Sequence, residues 1–269
     1  MINLGLLGKT LAHSLSPEIH TALLKQQHLT GTYEKIELSE KQVPQILDLM
    51  KAKDIVGINV TIPYKETLYT LVDVLDSHAQ KIGAINTILL RDGISYGYNT
   101  DYIGAVSMFQ KANVCLTGKT IVILGSGGAA KALIYGFHLA GAGQIIIAAR
   151  NVDACLQLKQ RFPYLHTCSL ADIPTGDIVV NTTPIGMYPN IDESPVDISV
   201  LQRFQIAADI VYNPLITKFL ALAKQANLQT ITGLMMLVDQ AIAAQEIWLH
   251  KKLDYNIGNQ IHDNLAKRF

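Results

Sequence analysis

Residues 120–132, TIVILGSGGAAKA, constrain the possible fold more than any other stretch of this chain. The apolar run TIVIL is typical of a strand that is buried on both faces of a parallel sheet. A glycine turn follows and small residues open a helix, so that Gly125, Gly127 and Ala130 satisfy the pattern G-x-G-x-x-G/A. This order of strand, turn and helix predicts a dinucleotide site in which the helix N-terminus faces a pyrophosphate. A glycine-rich turn without a ligand is the alternative.

Strand and helix patterns alternate along the rest of the chain, with one interruption at residues 113–119, NVCLTGK. Buried strands that alternate with helices predict an α/β fold with parallel, doubly wound sheets. A chain of 269 residues is long enough for two domains, and we expect their boundary near residues 101–118. The pattern also predicts a hairpin turn at Asp92–Gly93 and a mostly helical segment over residues 64–83. It leaves open which domain the last helices cover.

Composition excludes several classes of function. The formal net charge is zero and the pI is about 7.1, so bulk electrostatics gives no attraction to nucleic acid or to an anionic membrane. No apolar run reaches the roughly 18–20 residues of a membrane span, and no basic lead-in of a signal peptide opens the sequence. Cys115, Cys155 and Cys168 are scattered, and the eight histidines show no metal-ligand spacing. We therefore expect a cytoplasmic protein with reduced thiols, no metal ion and no nucleic-acid or membrane partner.

The end of the second strand in the glycine-turn half, IIIAARN, predicts the type of dinucleotide. An acid at this place binds the ribose 2′-hydroxyl of NAD, whereas a basic residue accepts the 2′-phosphate of NADP. Arg150 occupies the place with Asn151 beside it, and no acid precedes it. The rival acid, Asp153, falls within the next helix. The sequence therefore favours NADP, and a solvated surface charge is the alternative interpretation of Arg150.

Two hydroxyls stand close together in AHSLSPEIH, residues 12–20. Ser16 precedes Pro17 and is predicted to be the N-cap of a helix with proline at its first position. Ser14 is not explained by that role. Two hydroxyls beside the free N–H groups of a helix start are able to hold an anion such as a carboxylate.

Three further polar residues stand at the ends of predicted elements in the first half of the chain. Lys65 follows a strand in GINVTIPYKE, Asn86 opens a strand in AINTI, and Asp101 precedes a helix in GYNTD. A lysine and a carboxylate that converge on a substrate hydroxyl form a plausible acid–base pair. Taken singly, they have ordinary explanations as a solvated lysine, a turn residue and a helix N-cap.

Eight short stretches together resemble the shikimate dehydrogenases, the NADP-dependent enzymes that reduce 3-dehydroshikimate to shikimate in aromatic amino-acid biosynthesis. The stretches occur in the family order between residue 5 and about residue 240: AHSLSPEIH, GINVTIPYK, GAINTI, NTD, GSGGAAKA, NTTPIGM, DIVYNP and GLMMLVDQ. The resemblance implies a substrate domain of residues 1–101 plus 236–269 that is an open, mostly parallel α/β domain. It also implies a Rossmann domain of residues 102–235 for NADP.

The resemblance implies roles for the residues of the substrate domain. Ser14 and Ser16 match the pair that holds the carboxylate of shikimate, so the second hydroxyl gains an explanation. Lys65 and Asp101 match the catalytic pair beside the reacting oxygen. The ligands of the ring hydroxyls are expected to be Thr61, Asn86 and Gln240, with Tyr212 nearby.

For the cofactor the resemblance implies Arg150 at the 2′-phosphate and Met187 and Gly233 in the nicotinamide pocket. The remaining cofactor residues belong to the glycine turn: Gly125, Ser126, Gly127, Gly128, Ala129 and Ala130. A second basic residue that the family often carries four positions after Arg150 is Ala154 in this chain. Two alternatives stay open, a quinate/shikimate dehydrogenase that prefers NAD and a non-catalytic regulatory relative. A monomer or a homodimer is expected.

Overall fold

The computed structural model describes all residues from Met1 to Phe269 and contains two compact units. One unit consists of residues 1–101 and 238–261, and the other of residues 102–237 and 262–269. The sequence-based division lies two residues earlier, at 235/236, and keeps all C-terminal residues together.

Ten α-helices and twelve strands alternate along the chain. The first five helices are α1 (Ser16–Gln26), α2 (Ile46–Ala52), α3 (Ser77–Ile82), α4 (Asp101–Lys111) and α5 (Gly128–Leu139). The other five are α6 (Val152–Arg161), α7 (Ile198–Leu201), α8 (Lys218–Gln225), α9 (Leu234–Leu249) and α10 (Asn256–Ala266). None of these helices combines the length and the apolar character that crossing a bilayer requires.

The first unit contains a six-stranded mixed sheet. Its strands are β1 (Ile2–Gly8), β2 (Gly31–Glu37), β3 (Ile55–Val60), β4 (Val74–Leu75), β5 (Thr87–Arg91) and β6 (Ile94–Tyr98). The spatial order is β2-β1-β3-β5-β6-β4. The strands β1, β2 and β3 are parallel, whereas β5 runs antiparallel to both β3 and β6.

The predicted hairpin at Asp92–Gly93 is confirmed and explains the reversal of direction. Both turn residues have positive φ values, 52° at Asp92 and 78° at Gly93, which a two-residue turn between twisted strands requires. Because β5 is antiparallel, its first residue lies at the same edge of the sheet as the last residues of β3 and β6.

One face of this sheet is covered by α1 and α9. Leu4, Leu24, Ala244 and Trp248 form part of one buried cluster. Gly57 in β3 is required there, because a Cβ atom at this position would overlap the indole ring of Trp248. The indole N–H of Trp248 donates to the Ile88 carbonyl at 2.9 Å, so the ring is fixed by packing and by a hydrogen bond.

The second unit contains a six-stranded sheet in which all strands are parallel. The strands are β7 (Thr120–Leu124), β8 (Gln144–Ala148), β9 (Leu165–Cys168), β10 (Ile178–Asn181), β11 (Ile206–Asp209) and β12 (Gln229–Ile231). Their order is β12-β11-β10-β7-β8-β9, which is the Rossmann order with its switch point between β7 and β10. The predicted α/β fold class with a Rossmann domain is confirmed.

The prediction of a mostly helical segment over residues 64–83 is wrong. This segment holds one 3-10 turn at Leu68–Thr70, the strand β4 and the short helix α3. Backbone groups of β4 pair with β6, and Asp76 ends the extended part because its side chain accepts from the N–H groups of His78 and Ala79. The helical spacing of apolar residues was outweighed here by sheet pairing and by a strong N-cap.

Candidate active site

One edge of the mixed sheet collects the polar residues of the first unit. Thr61 follows the end of β3, Asn86 precedes β5 and Asp101 follows β6 by three residues. In the register of the sheet Asn59 lies opposite Thr87, and Thr87 lies opposite Tyr98. Residues that are far apart in sequence therefore meet at this edge, where α/β folds bind ligands.

Lys65 and Asp101 form an ion pair at this edge. The Lys65 Nζ atom lies 2.5 Å from Asp101 Oδ2, and the two side chains are only 15% and 6% exposed. A pair so largely removed from water is held in a single geometry by its charge-assisted hydrogen bond. The ordinary explanations of the two residues as solvated lysine and helix N-cap fail. The Lys65 side chain is mostly buried, and the Asn99 side chain, not Asp101, accepts the first N–H of α4.

Asn86 is the centre of the hydrogen-bond network around this pair. Its amide nitrogen lies 2.8 Å from Asp101 Oδ1, 2.9 Å from Thr100 Oγ1 and 3.1 Å from Gln240 Oε1. Its amide oxygen accepts the Thr100 N–H at 2.7 Å and the Thr87 hydroxyl at 3.0 Å. The network fixes the carboxylate of Asp101 from the side opposite Lys65.

Asn59 and Thr100 belong to this network although sequence reasoning did not select them. The Asn59 amide donates to Thr87 Oγ1 at 3.1 Å and accepts the Tyr33 hydroxyl at 2.8 Å. Thr100 is fully buried; its hydroxyl accepts from the amide nitrogen of Asn86, and its N–H donates to the amide oxygen. Both residues stand inside quoted stretches, in GINVTI and in NTD, so their position beside Thr61 and Asp101 was the available signal.

The prediction that Ser16 is the N-cap of α1 is wrong. Ser16 is the first residue of the helix, and the hydroxyl of Ser14 accepts the Ser16 N–H at 3.3 Å. The loop before α1 is held by β2, because Glu37 accepts the Leu11 N–H at 2.6 Å and Lys35 donates to the Ala12 carbonyl at 2.9 Å. The N-cap position is Leu15, so neither serine occupies it, and Ser14 supplies an acceptor for the first N–H of the helix.

Two other residues predicted for the first unit, Thr61 and Gln240, lie in the hydrogen-bond network of Asn86 or beside it. The Thr61 N–H donates to the Leu7 carbonyl at 2.9 Å, and its methyl group packs where a side chain at Gly8 would stand. Gln240 in α9 is buried and lies beside Asn86 and Thr100.

His20 lies behind α1 and is fully buried. Its ring stacks on Tyr33 at 4.2 Å between centroids. Desolvation by burial lowers the pKa of His20 to about 3, although a side-chain hydrogen bond with Asn59 acts in the opposite direction. The imidazole is therefore neutral at physiological pH and is a packing group rather than an acid or a base.

In the second unit the glycine turn has the geometry that a dinucleotide requires. Gly125 has a φ of +106°, and a Cβ atom there would lie 2.8 Å from Thr183 Cγ2. By contrast, a Cβ atom at Gly127 would meet nothing within 4 Å, so packing inside the protein does not demand a glycine at that position. Gly127 precedes α5, where free N–H groups favour an anion. The turn therefore fits a pyrophosphate that approaches the backbone closely.

Arg150 follows β8 and is exposed. Asn151 is the N-cap of α6, and its side-chain oxygen accepts the Ala154 N–H at 3.0 Å. Asp153 is exposed in the first turn of the same helix. Arg150 is thus the cation at the end of the second Rossmann strand, and Asn151 is partly occupied by capping.

Met187, Tyr212 and Gly233 follow β10, β11 and β12 at the carboxyl edge of the parallel sheet. Met187 is 42% exposed. A Cβ atom at Gly233 would overlap the Ile210 carbonyl and lie 2.7 Å from the Asp209 carbonyl oxygen, so only glycine allows this approach of the chain. The Tyr188 N–H donates to the Asn213 carbonyl at 3.0 Å and joins the first two of these loops.

Asp209 ends β11 and lies beneath these loops with no exposed surface. Its carboxylate accepts the Thr217 hydroxyl at 2.7 Å, the Val211 N–H at 2.9 Å and the Asn181 amide at 3.1 Å. Desolvation raises the pKa of Asp209 to about 6, although the three hydrogen bonds act in the opposite direction. Sequence reasoning did not select this residue.

The change Asp209→Asn is expected to stabilise the protein at about pH 7.5 but not at about pH 4. In the fold the pKa is about 6, above the ordinary value of 3.8, so the folded state binds this proton more tightly than the unfolded state. The contribution is complete below about pH 4 and is lost as the pH rises through 6. It amounts to about 3 kcal/mol. Asparagine does not titrate. Urea denaturation should therefore show that the free energy of unfolding of the variant, relative to the native protein, rises by about 3 kcal/mol from about pH 4 to about pH 7.5.

Asp177→Asn is the matched control, because it is an aspartate of the same sheet with the opposite shift. Its pKa is lowered, first by the Thr120 N–H and then by Lys119, so its stabilising effect is present at neutral pH and lost in acid. This variant should lose stability at about pH 7.5. If Asp209→Asn changed the free energy of unfolding by the same amount at both pH values, the expectation would be contradicted.

Comparison with known proteins finds relatives that are similar along the whole chain. Residues 6–88 match the family model for the shikimate dehydrogenase substrate binding domain. A shikimate dehydrogenase (NADP(+)) of Clostridium perfringens is 40% identical over 267 residues, with 98% of each chain covered.

Two solved structures are also similar along their full length. Shikimate dehydrogenase 1 of Peptoclostridium difficile has a TM-score of 0.91 and 39% identity, with 100% of this chain and 99% of that chain covered. Shikimate 5-dehydrogenase of Thermus thermophilus, in complex with NADP(H) and shikimate, has a TM-score of 0.90 and 30% identity, with 98% and 99% covered.

Proposed function

Because the chain belongs to the shikimate dehydrogenase family, we propose that it reduces 3-dehydroshikimate reversibly to shikimate with NADPH. The protein is an oxidoreductase that acts on a CH–OH group. The observation that carries the proposal is the buried Lys65–Asp101 pair with Asn86 at one sheet edge. The two alternatives, a quinate enzyme that prefers NAD and a non-catalytic relative, are not favoured.

Substrate binding is assigned to the polar residues of the first unit. Ser14 and Ser16, at the start of α1, supply hydroxyls for the carboxylate of the substrate. The ring hydroxyls are bound by neutral side chains, which orient them without adding charge. These are Thr61, Asn86 and Gln240, with Tyr212 as a further ligand.

Lys65 and Asp101 are assigned the proton transfer. When bound, the reduced nicotinamide supplies a hydride to the ring carbonyl carbon. As negative charge develops on the carbonyl oxygen, the Lys65 ammonium donates a proton to it, and the neutral amine regains one from solvent. Asp101 accepts a hydrogen bond from the ammonium at 2.5 Å and holds the Nζ atom in place before the transfer. In the reverse direction Lys65 accepts the proton of the hydroxyl.

The cofactor site is assigned to the second unit. The glycine turn Gly125–Ala130 holds the pyrophosphate with its backbone N–H groups, and Arg150 holds the 2′-phosphate. Met187 and Gly233 line the nicotinamide pocket. Two observations support this assignment of the turn: Gly125 has a positive φ, and a Cβ atom at Gly127 would enter open space.

The test of the activity is the absorbance of the reduced nicotinamide when purified protein is mixed with shikimate and either NADP⁺ or NAD⁺. Reduction with NADP⁺ is the expected result. Reduction with NAD⁺ alone would overturn the role of Arg150, and reduction with quinate but not with shikimate would move the protein to the alternative enzyme. The absence of any reduction would contradict the proposal.

The change Arg150→Gln is expected to raise KM for NADPH by about 10- to 100-fold. The lost interaction is a charge-assisted contact with the 2′-phosphate, typically worth about 1.5–3 kcal/mol. KM for NADH should stay within about twofold because NADH has no 2′-phosphate. Arg161→Gln removes the same charge at the other end of α6 and serves as the control. Equal effects of Arg150→Gln on both cofactors would refute the assignment.

Two finer proposals concern the state of the protein in the cell. A cytoplasmic location is supported by three free cysteines, none of them in a disulfide. A monomer or a homodimer is proposed, and light scattering of the purified protein distinguishes the two. The partner is the small-molecule substrate.

A further inference from the structure

Asp209 carries a buried charge that no protein cation balances. The carboxylate is fully buried, and its hydrogen-bond donors are an amide, a hydroxyl and a backbone N–H, none of which is charged. The other polar groups of its site are therefore able to solvate the charge but not to neutralise it. Such an arrangement is costly unless a positive charge is nearby.

Two other aspartates beside the two sheets are each paired with a lysine. Asp101 has Lys65 at 2.5 Å, and Asp177 has Lys119 at 3.0 Å. Asp177 lies at the amino end of β10, whereas Asp209 lies at the carboxyl end of the neighbouring strand. Asp209 is thus a carboxylate without a lysine partner at the ligand-binding edge of the Rossmann sheet.

Three chain segments that carry proposed cofactor or substrate residues meet around Asp209. Its carboxylate binds Asn181, which opens the loop to Met187, and the Val211 N–H next to Tyr212. Its carbonyl oxygen abuts Gly233, where a Cβ atom would lie 2.7 Å away. Low-dielectric surroundings let a buried charge act on groups that it does not touch.

We propose that the positive charge that balances Asp209 is the oxidised nicotinamide ring of NADP⁺, so that this carboxylate favours binding of the oxidised over the reduced cofactor. The inference rests on the proposed function for the identity of the cofactor. The oxidised ring is cationic and the reduced ring is neutral, so only the first gains from a negative charge. At about pH 7.5 the carboxyl is ionised, because its pKa of about 6 lies below this pH.

The test is calorimetric titration of the purified protein and of Asp209→Asn with NADP⁺ and with NADPH separately. Asparagine keeps the shape, and the Thr217 hydroxyl, which is able to rotate, then accepts from the new amide. Kd for NADP⁺ should rise about three- to tenfold, the scale of one screened charge interaction, while Kd for NADPH stays within about twofold. A tenfold change in the ratio corresponds to about 30 mV in the potential of the bound cofactor.

Asp177→Asn is the control, since it removes a carboxylate of the same sheet at its other edge. Both dissociation constants should stay within about twofold of the native values in this variant. Equal weakening of both cofactor forms by Asp209→Asn, or no change in either, would overturn the inference.

A measurement on the native protein covers the case in which Asp209→Asn does not fold. The ratio of Kd for NADPH to Kd for NADP⁺ should fall about two- to threefold between about pH 8 and about pH 5.5, as Asp209 gains a proton. The groups that face this carboxyl from β10, from α8 and from its own loop are Asn181, Thr217 and Val211, and none of them titrates. Protonation of the 2′-phosphate affects both cofactor forms equally. A constant ratio would refute the inference.

These titrations are independent of turnover. A protein that binds both cofactor forms with the expected ratio but does not oxidise shikimate would refute the proposed function and leave the role of Asp209 standing. A protein that oxidises shikimate but shows no change in the ratio of the two dissociation constants would support the proposed function and refute the role of Asp209.

Discussion

Lys65→Ala is expected to lower kcat by about 10²–10⁴-fold, the usual contribution of a positioned acid–base group. The variant has no ammonium to protonate the developing alkoxide, and Asp101 is too buried to recruit bulk water easily, with a side chain that is 6% exposed. KM for shikimate should change much less, since the serines and amides that bind the ring are retained. Steady-state kinetics in both directions measures the effect.

Two controls make this expectation specific to proton transfer. Lys119→Ala removes a lysine that is also paired with an aspartate, at 3.0 Å, but at the amino edge of the other sheet, and it should leave kcat within about twofold. A small amine such as ethylamine should restore part of the activity of Lys65→Ala and none to the control. Near-native turnover without added amine would remove Lys65 from the mechanism.

Asn86→Ala is expected to lower both stability and activity. The change leaves the buried Thr100 N–H without its partner at 2.7 Å and takes a donor from Asp101 at 2.8 Å. Each unsatisfied buried group costs about 1–3 kcal/mol, so a loss of about 3–5 kcal/mol in the free energy of unfolding is expected. A displaced Asp101 should also lower kcat by about 10²-fold, because small errors of position are costly in catalysis.

Urea denaturation and steady-state kinetics test the two effects of Asn86→Ala separately. Asn264→Ala, on the exposed face of α10, is the matched control and should change neither quantity measurably. A variant that keeps native stability would show that Asn86 is not the centre of the network. A destabilised variant with native kcat would show that the network does not position Asp101.

Strand-end residues were predictable because the sequence marks where strands stop. Lys65 and Asp101 both follow apolar runs in the sequence. In the structure the Lys65 Nζ atom lies 2.5 Å from Asp101 Oδ2. The glycine turn was predictable for the same reason, since its spacing and its neighbours are local. The Rossmann half of the fold repeats one local unit, which is why its sheet order agrees with expectation.

Other features could not be predicted because they depend on contacts between distant residues. The hydrogen bond from the Ser16 N–H to the Ser14 hydroxyl depends on how β2 holds the preceding loop through Glu37 and Lys35. The edge strand β4 consists of two residues, and only its pairing with β6 distinguishes it from a helix. Asp209 has three partners that lie up to 28 residues away, and its burial leaves no local pattern.

The crossing of Trp248 over Gly57 has a consequence for synthesis of the chain on the ribosome. The strands of the first sheet are complete once Tyr98 has been made, but the helix that covers one of its faces ends at Leu249. Roughly 150 residues must be added in between, which takes about 8–30 s at ordinary elongation rates. During this interval the apolar face at Gly57 stays open to water and to other nascent chains. The sheet that is made first is therefore covered on one of its faces only when synthesis of the chain is almost finished.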